Sequence, residues 1–419
     1  MSSETMNAKQ MLVHFQELLD EKAREAKRNK KPVCWSSSVA PSEMCVAMDI
    51  PLIYPETHAA GIGARKGALD MLEHAEQMGY SIDTCSYARI NLAYMDLLKE
   101  KALTGNTPEK LANSPAADVP LPDLIITCNN ICNTLLKWYE NLAVELDIPY
   151  IIIDVPFNHT MPVTAHSKKY IADQISYAIT QIEEVCGRPF DHDAFLEAQR
   201  QTQRSVEQWN RIASFMGDCP TPLNGFDLYN FMALIVCARS HIYAEETFRT
   251  FADELEANKS KGIFPFGGEN QRFRVSSEGI AVWPYLAHAF KALRGMGAIV
   301  TGSSYPDTWN LLYEPGDLQG MGEAYSKTYM NTCIENRGKV LADIVKFGHC
   351  DGLLLHLNRS CKLMSFLNNE SAEIIHKETG VPYVSYDGDQ TDPRNFSPAQ
   401  FDTRVQALGE MLAARESER

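Results

Sequence analysis

The sequence predicts an α/β protein: two similar parallel-sheet domains joined by a helical segment, with a ligand site between them. Three observations carry that expectation. Short, continuous apolar runs alternate with amphipathic stretches, the pattern of parallel strands covered on both faces. Strand signals almost vanish from about Asp191 to Lys261 and resume after a glycine-rich break at 262–268. A pattern of Asp, apolar strand, Asn and Cys occurs once in each half.

Taken in order, residues 1–30 read as an amphipathic, charged helix. Residues 31–190 form the first expected α/β domain. Its strands are Ile50–Tyr54, Leu124–Thr127 and Tyr150–Ile153. A helix is expected from about Gly61 to Gln77, closed by Gly79. A second is expected over Asn133–Leu146, where Leu135, Tyr139, Leu142 and Leu146 recur at helical spacing. Residues 191–262 are helical, including a long pattern over Asn230–Glu256. Residues 263–419 form the second α/β domain, with strands at Gly279–Trp283, Ala298–Thr301, Leu353–Leu355 and Tyr383–Tyr386.

The repeat pairs Asp123–Cys132 with Asp351–Cys361, and Ile148-Pro149-Tyr150 with Val381-Pro382-Tyr383. It reads as one βαβ unit used twice. Ligands of open α/β sheets sit beyond the carboxyl ends of the strands. Two such units facing each other would bring Cys132 and Cys361 to one cleft.

Of 419 residues, 45% are hydrophobic and 22% charged, which excludes disordered, collagen-like and coiled-coil chains. Lys and Arg number 39 against 54 Asp and Glu, a net charge of −15. Such a surface repels phosphate backbones and anionic lipid, so no nucleic acid or membrane partner is expected. No apolar run approaches the roughly 18 residues of a membrane span. The N-terminus has neither an apolar core nor a small-residue cleavage site. A cytoplasmic protein with reduced thiols is expected.

Eleven cysteines, an odd number, do not suit a closed disulfide framework. Cys34, Cys45, Cys186, Cys219, Cys237, Cys333 and Cys350 read as packing residues. Cys85 lies in a polar, turn-forming segment, like a strand-end thiol. Cys85, Cys132 and Cys361 therefore suggest a metal or cluster site, with inert buried thiols as the competing reading. Cys128 and Cys132 form the only close pair, at CxxxC spacing. Gly61-Ile62-Gly63 has the wrong continuation for a dinucleotide fingerprint and is better explained by close packing. No phosphate-binding loop, nucleophile elbow or HExxH helix occurs, so the chain should not hydrolyse ATP itself.

Several longer segments resemble the 2-hydroxyacyl-CoA dehydratases, within the benzoyl-CoA reductase/2-hydroxyglutaryl-CoA dehydratase superfamily. They are Trp35–Ser38, Tyr54–Gly61, Cys128–Asn133, Lys137–Asn141, Asn224–Asp227, Asn358–Ser365 and Asp387–Gln390. The resemblance runs from about Val33 to Leu412. It implies a [4Fe-4S] cluster held by Cys85, Cys132 and Cys361, with Cys128 a neighbour. One iron would be left open as a Lewis acid and electron donor. It also implies a ketyl radical route, since the proton lost in this reaction is β to the carbonyl and not acidified by it.

Ser38 matches a family serine near the open iron, with Ser37 as the fallback. Glu56 and His58 would handle the leaving hydroxide or the β proton. Asp387 and Asp389 read as turn formers. Implied partners are a smaller homologous beta subunit in a heterodimer, an ATP-dependent iron–sulfur activator protein and an acyl-CoA substrate. Flavin is associated with part of the family, although no flavin signature is visible here. The expected reaction is (R)-lactoyl-CoA to acryloyl-CoA plus water. The alternatives are another 2-hydroxyacyl-CoA, a benzoyl-CoA reductase-like reaction, or a non-catalytic iron–sulfur electron-transfer role.

Overall fold

The computed structural model describes residues 6–418. The first five residues of the expected N-terminal helix, and Arg419, lie outside the described residues. The strands are β1 (Cys34–Ser36), β2 (Leu52–Ile53), β3 (Leu124–Cys128), β4 (Tyr150–Ile153), β5 (Phe273–Glu278), β6 (Ala298–Gly302), β7 (Gly352–Asn358) and β8 (Tyr383–Gly388). They form two four-stranded sheets, ordered β2-β1-β3-β4 and β6-β5-β7-β8. Every pairing is parallel. The expected α/β class and its doubled sheet are therefore present, and both sheets use the same strand order.

That order fixes where a ligand can sit. Chain connections leave in opposite directions on either side of the β1/β3 and β5/β7 boundaries, which opens a crevice at the strands' carboxyl ends. Central β3 is buried throughout, as its unbroken Leu-Ile-Ile run requires.

Several elements depart from the sequence reading. The strand expected at Gly279–Trp283 is one segment too late: β5 is Phe273–Glu278. Its polar sequence hides a buried strand because its polar groups are satisfied internally. Arg274 donates to the carbonyls of Gly348, Asp218 and Met216, and Ser276 donates to Glu278. Gly279 then turns the chain at a φ of +110°, where a Cβ would lie 2.9 Å from the His356 Cβ. Short β1 gave no periodic signal, yet β2 and β3 pair with it on both sides.

The helix expected over Gly61–Gln77 is two helices, Pro55–Ala64 and Ala68–Gln77. Lys66, at a φ of +61°, breaks them. Asn230–Glu256 likewise divides into helices Gly225–Cys237 and Ile242–Ser260. Gly63 packs against Thr391, close enough that a Cβ would lie 2.5 Å from its methyl carbon. The glycines there serve close packing, as expected.

The N-terminal helix, Ala8–Arg28, buries Met11, Leu12 and Phe15 against the helical segment, and Phe15 stacks on Tyr243 at 4.6 Å. A continuous core also unites the two halves, with Trp35, Trp138, Ile280 and Met364 in one cluster.

Candidate active site

A cavity of about 440 Å³ opens between the halves, at the carboxyl ends of both sheets. Ser38, Glu56, Cys85, Cys132 and Cys361 all line it. Ser38 follows β1, and Glu56 lies in the first turn of the Pro55–Ala64 helix. Each of the three cysteines immediately precedes a helix: Ser86–Thr104, Asn133–Leu146 and Lys362–Thr379. Each sulfur therefore lies near a first turn whose amides have no partner within the helix. The Leu135 N–H donates to Cys132 Sγ at 3.4 Å, whereas the Cys85 and Cys361 side chains accept no such capping bond. The Gln390 side-chain amide donates to Cys85 Sγ at 3.3 Å.

This arrangement fits a cluster carried on three thiolates. Burial pushes the Cys85 thiol up to about 12, and the neighbouring Cys132 adds to the rise. Burial also raises Cys361, with Cys85 and Cys132 as the next causes. Three such sulfurs resist joint ionisation unless a cationic centre lies among them. Among the described residues, no three His, Cys, Asp or Glu side chains converge tightly enough for a single metal ion. A cubane makes a looser demand, because its ligands bind separate irons.

Glu56 is a buried carboxyl with two donors. The Ser38 N–H reaches Oε1 at 3.1 Å and the Tyr139 hydroxyl reaches Oε2 at 2.5 Å. Burial raises its pKa, and the two donors oppose that rise. Ser37, by contrast, uses its hydroxyl to accept the Cys128 N–H at 3.3 Å and does not reach the cavity wall.

His58 is not brought to the cavity. Its Nε2 lies 3.6 Å from Asp20 on the N-terminal helix. Cys128, the last residue of β3, is fully buried and also lies off the wall. Cys219 corrects a second expectation, since it is exposed rather than buried in the core. Asp389 does form a turn, accepting from the Thr391 and Asp392 amides at 3.0 Å. It also accepts from the Ser86 hydroxyl at 2.6 Å and so ties the two halves behind the cysteines. Asp387 instead lies within β8, exposed.

Sequence reasoning missed the residues that hold this wall in place. Arg239, fully buried, donates to the carbonyls of Ser38 at 3.2 Å and Val236 at 2.9 Å. The Trp309 indole donates to the same Ser38 carbonyl at 3.1 Å. Arg239 also donates to Tyr325 Oη at 3.3 Å, and the Tyr325 hydroxyl donates to buried Glu43. An arginine between two helical patterns gives no sequence signal for such a role. Exposed Arg65 and Lys362 stand on the cavity rim.

The comparisons with known proteins agree with this geometry. Residues 37–412 match the family model for 2-hydroxyglutaryl-CoA dehydratase, D-component. The chain belongs to that family. The lactoyl-CoA dehydratase subunit alpha of Anaerotignum propionicum is 63% identical, over 98% of this chain and 97% of the relative. The (R)-2-hydroxyisocaproyl-CoA dehydratase alpha subunit of Clostridioides difficile is 42% identical, over 94% and 93%. The (R)-2-hydroxyglutaryl-CoA dehydratase, subunit alpha, of Acidaminococcus fermentans is 34% identical, over 94% and 95%. As a member of the D-component family, the chain is a dehydratase of the hydro-lyase class. Among its described residues, no helix is long and apolar enough to cross a membrane.

Proposed function

We propose that this chain is the larger, cluster-bearing subunit of a radical 2-hydroxyacyl-CoA dehydratase that converts (R)-lactoyl-CoA to acryloyl-CoA and water. The observation that carries the reading is the convergence of Cys85, Cys132 and Cys361 from both halves on one cavity with Glu56 and Ser38. The 63% identical relative supports the choice of acyl group. When bound by the three thiolates, a [4Fe-4S] cluster would supply one recycled electron to the thioester and an open iron for the departing hydroxyl.

The chain's own side chains do the rest. Glu56 is held by Ser38 and Tyr139 and removes the β proton onto a carboxylate oxygen. Its raised pKa makes it a stronger base than an exposed glutamate. The Ser38 hydroxyl orients the hydroxyl that leaves. Ile131, Trp138, Ile280, Trp283 and Met330 keep water from the reacting carbons. Arg65 and Lys362 on the rim take the phosphates of CoA. His58 supports the Pro55–Ala64 helix from outside the cavity.

The assembled enzyme in this reading is a cytoplasmic heterodimer with a smaller homologous beta subunit. An ATP-hydrolysing iron–sulfur activator supplies its electron. We assign no residue of this chain to flavin. The test is an anaerobic assay of the complex with activator, ATP and a panel of 2-hydroxyacyl-CoA thioesters. The lactoyl thioester should give the highest kcat/KM. Turnover of an aromatic or branched thioester with none of lactoyl-CoA would overturn the substrate assignment.

A further inference from the structure

Three tyrosines line the cavity: Tyr87, Tyr229 and Tyr305. Two of them have protein groups for their hydroxyls. Tyr229 is engaged with Ser303 Oγ at 3.0 Å and the Ser277 carbonyl at 3.4 Å. Tyr87 accepts the indole N–H of Trp283 at 2.5 Å, and the Tyr305 phenol lies beside it. An indole N–H can only donate. Its hydrogen occupies the Tyr87 oxygen, which leaves the Tyr87 hydrogen free to turn towards the neighbouring phenol. The chain of donors therefore runs from Trp283 to Tyr87 to Tyr305.

The last hydrogen in that chain, on Tyr305 Oη, meets no protein acceptor among the described residues. Tyr305 is only half-buried and stands in the cavity wall with Cys361 and Glu56. Its ring packs between those of Trp309, at 5.9 Å, and Tyr229, at 6.1 Å between centroids, which limits its freedom to turn. A phenol at neutral pH is a donor with its proton in place.

We propose that Tyr305 is a catalytic residue that donates a hydrogen bond to the carbonyl oxygen of the bound thioester. Tyr87 and Trp283 are positioning residues that act through it. Negative charge grows on that oxygen when the thioester gains an electron, and a preorganised donor in a dry site stabilises it most at that moment. Each donor in the chain polarises the next. No proton is transferred, so Tyr305 ends the cycle as it began.

This inference rests on the thioester binding in the cavity, as proposed above, and its test separates the two. The anaerobic heterodimeric holoenzyme, without activator or ATP, is mixed with propionyl-CoA labelled with ¹³C at the carbonyl, a saturated analogue that has no hydroxyl to lose. Isotope-edited infrared spectroscopy then reads the carbonyl stretch, and calorimetry reads the affinity.

In the unaltered enzyme the stretch should fall below its value in solution. In Tyr305→Phe the downshift should disappear and binding should weaken about tenfold, while iron content stays the same. Tyr87→Phe should keep part of the downshift. Binding with the carbonyl at its solution frequency, or a full downshift in Tyr305→Phe, would overturn the role of Tyr305. Failure of the unaltered enzyme to bind propionyl-CoA at all would overturn the cavity as the thioester site, and the inference with it.

Discussion

At the scale of single residues, the account turns on how burial is compensated. Glu56 can sit in an enclosed wall because two donors hold its oxygens, and those donors are themselves fixed. Ser38 presents its amide to Glu56 while its carbonyl is pinned by Arg239 and Trp309. Replacing Glu56 by Gln keeps the shape and removes the base. We expect kcat to fall by roughly 10²–10⁴-fold with cluster iron retained, the range typical of a lost general base. An unchanged kcat would remove Glu56 from the chemistry. The meeting of Cys132 and Cys361 at one cavity was legible in sequence because the repeat set them at equivalent strand ends. Arg239, Tyr87 and Tyr305 were not, since nothing local distinguishes a buried clamp or a cavity phenol from ordinary core.

At the scale of elements, strands with continuous apolar sequence were read nearly to the residue, as for Tyr150–Ile153. Errors fell where tertiary partners replace local pattern, as in β5 with its internally satisfied Arg274 and Ser276. Helices were read too long where a single residue turns the chain, at Lys66 and around Ala238–His241. His241 begins the Ile242–Ser260 helix and is enclosed by Tyr243, with Lys22 of the N-terminal helix nearby. Burial, and then the Lys22 charge, lower its pKa to about 4.

A histidine whose folded pKa is depressed favours the folded state above its unfolded value, near 6.5. That contribution is lost as pH falls towards 4. The thermal midpoint of the unaltered protein should therefore drop between about pH 6.5 and pH 4 relative to His241→Asn. Parallel profiles for the two proteins would show that His241 is not held neutral.

At the scale of the whole molecule, two sheets of identical order share one core and one crevice. Polar ties reinforce that union behind the cysteines. Ser86 bonds Asp389, and fully buried Arg89 pairs with Asp392 at 3.1 Å and with Glu76 at 3.1 Å. Replacing Asp392 by Asn leaves a buried guanidinium short of its counter-ion. The expected cost is about 3–5 kcal/mol, read as a lower denaturation midpoint. A midpoint within error of the unaltered protein would mean that solvent or Glu76 already balances Arg89.

The central claim is that Cys85, Cys132 and Cys361 carry one iron–sulfur cluster between the halves. The most direct measurement is iron and acid-labile sulfide content, with a visible spectrum, of the anaerobically purified complex bearing Cys361→Ala or Cys128→Ala in this chain. The account predicts that Cys361→Ala removes one cluster's iron and sulfide from the complex, and that Cys128→Ala removes none. Full iron and sulfide in the Cys361→Ala complex would contradict it.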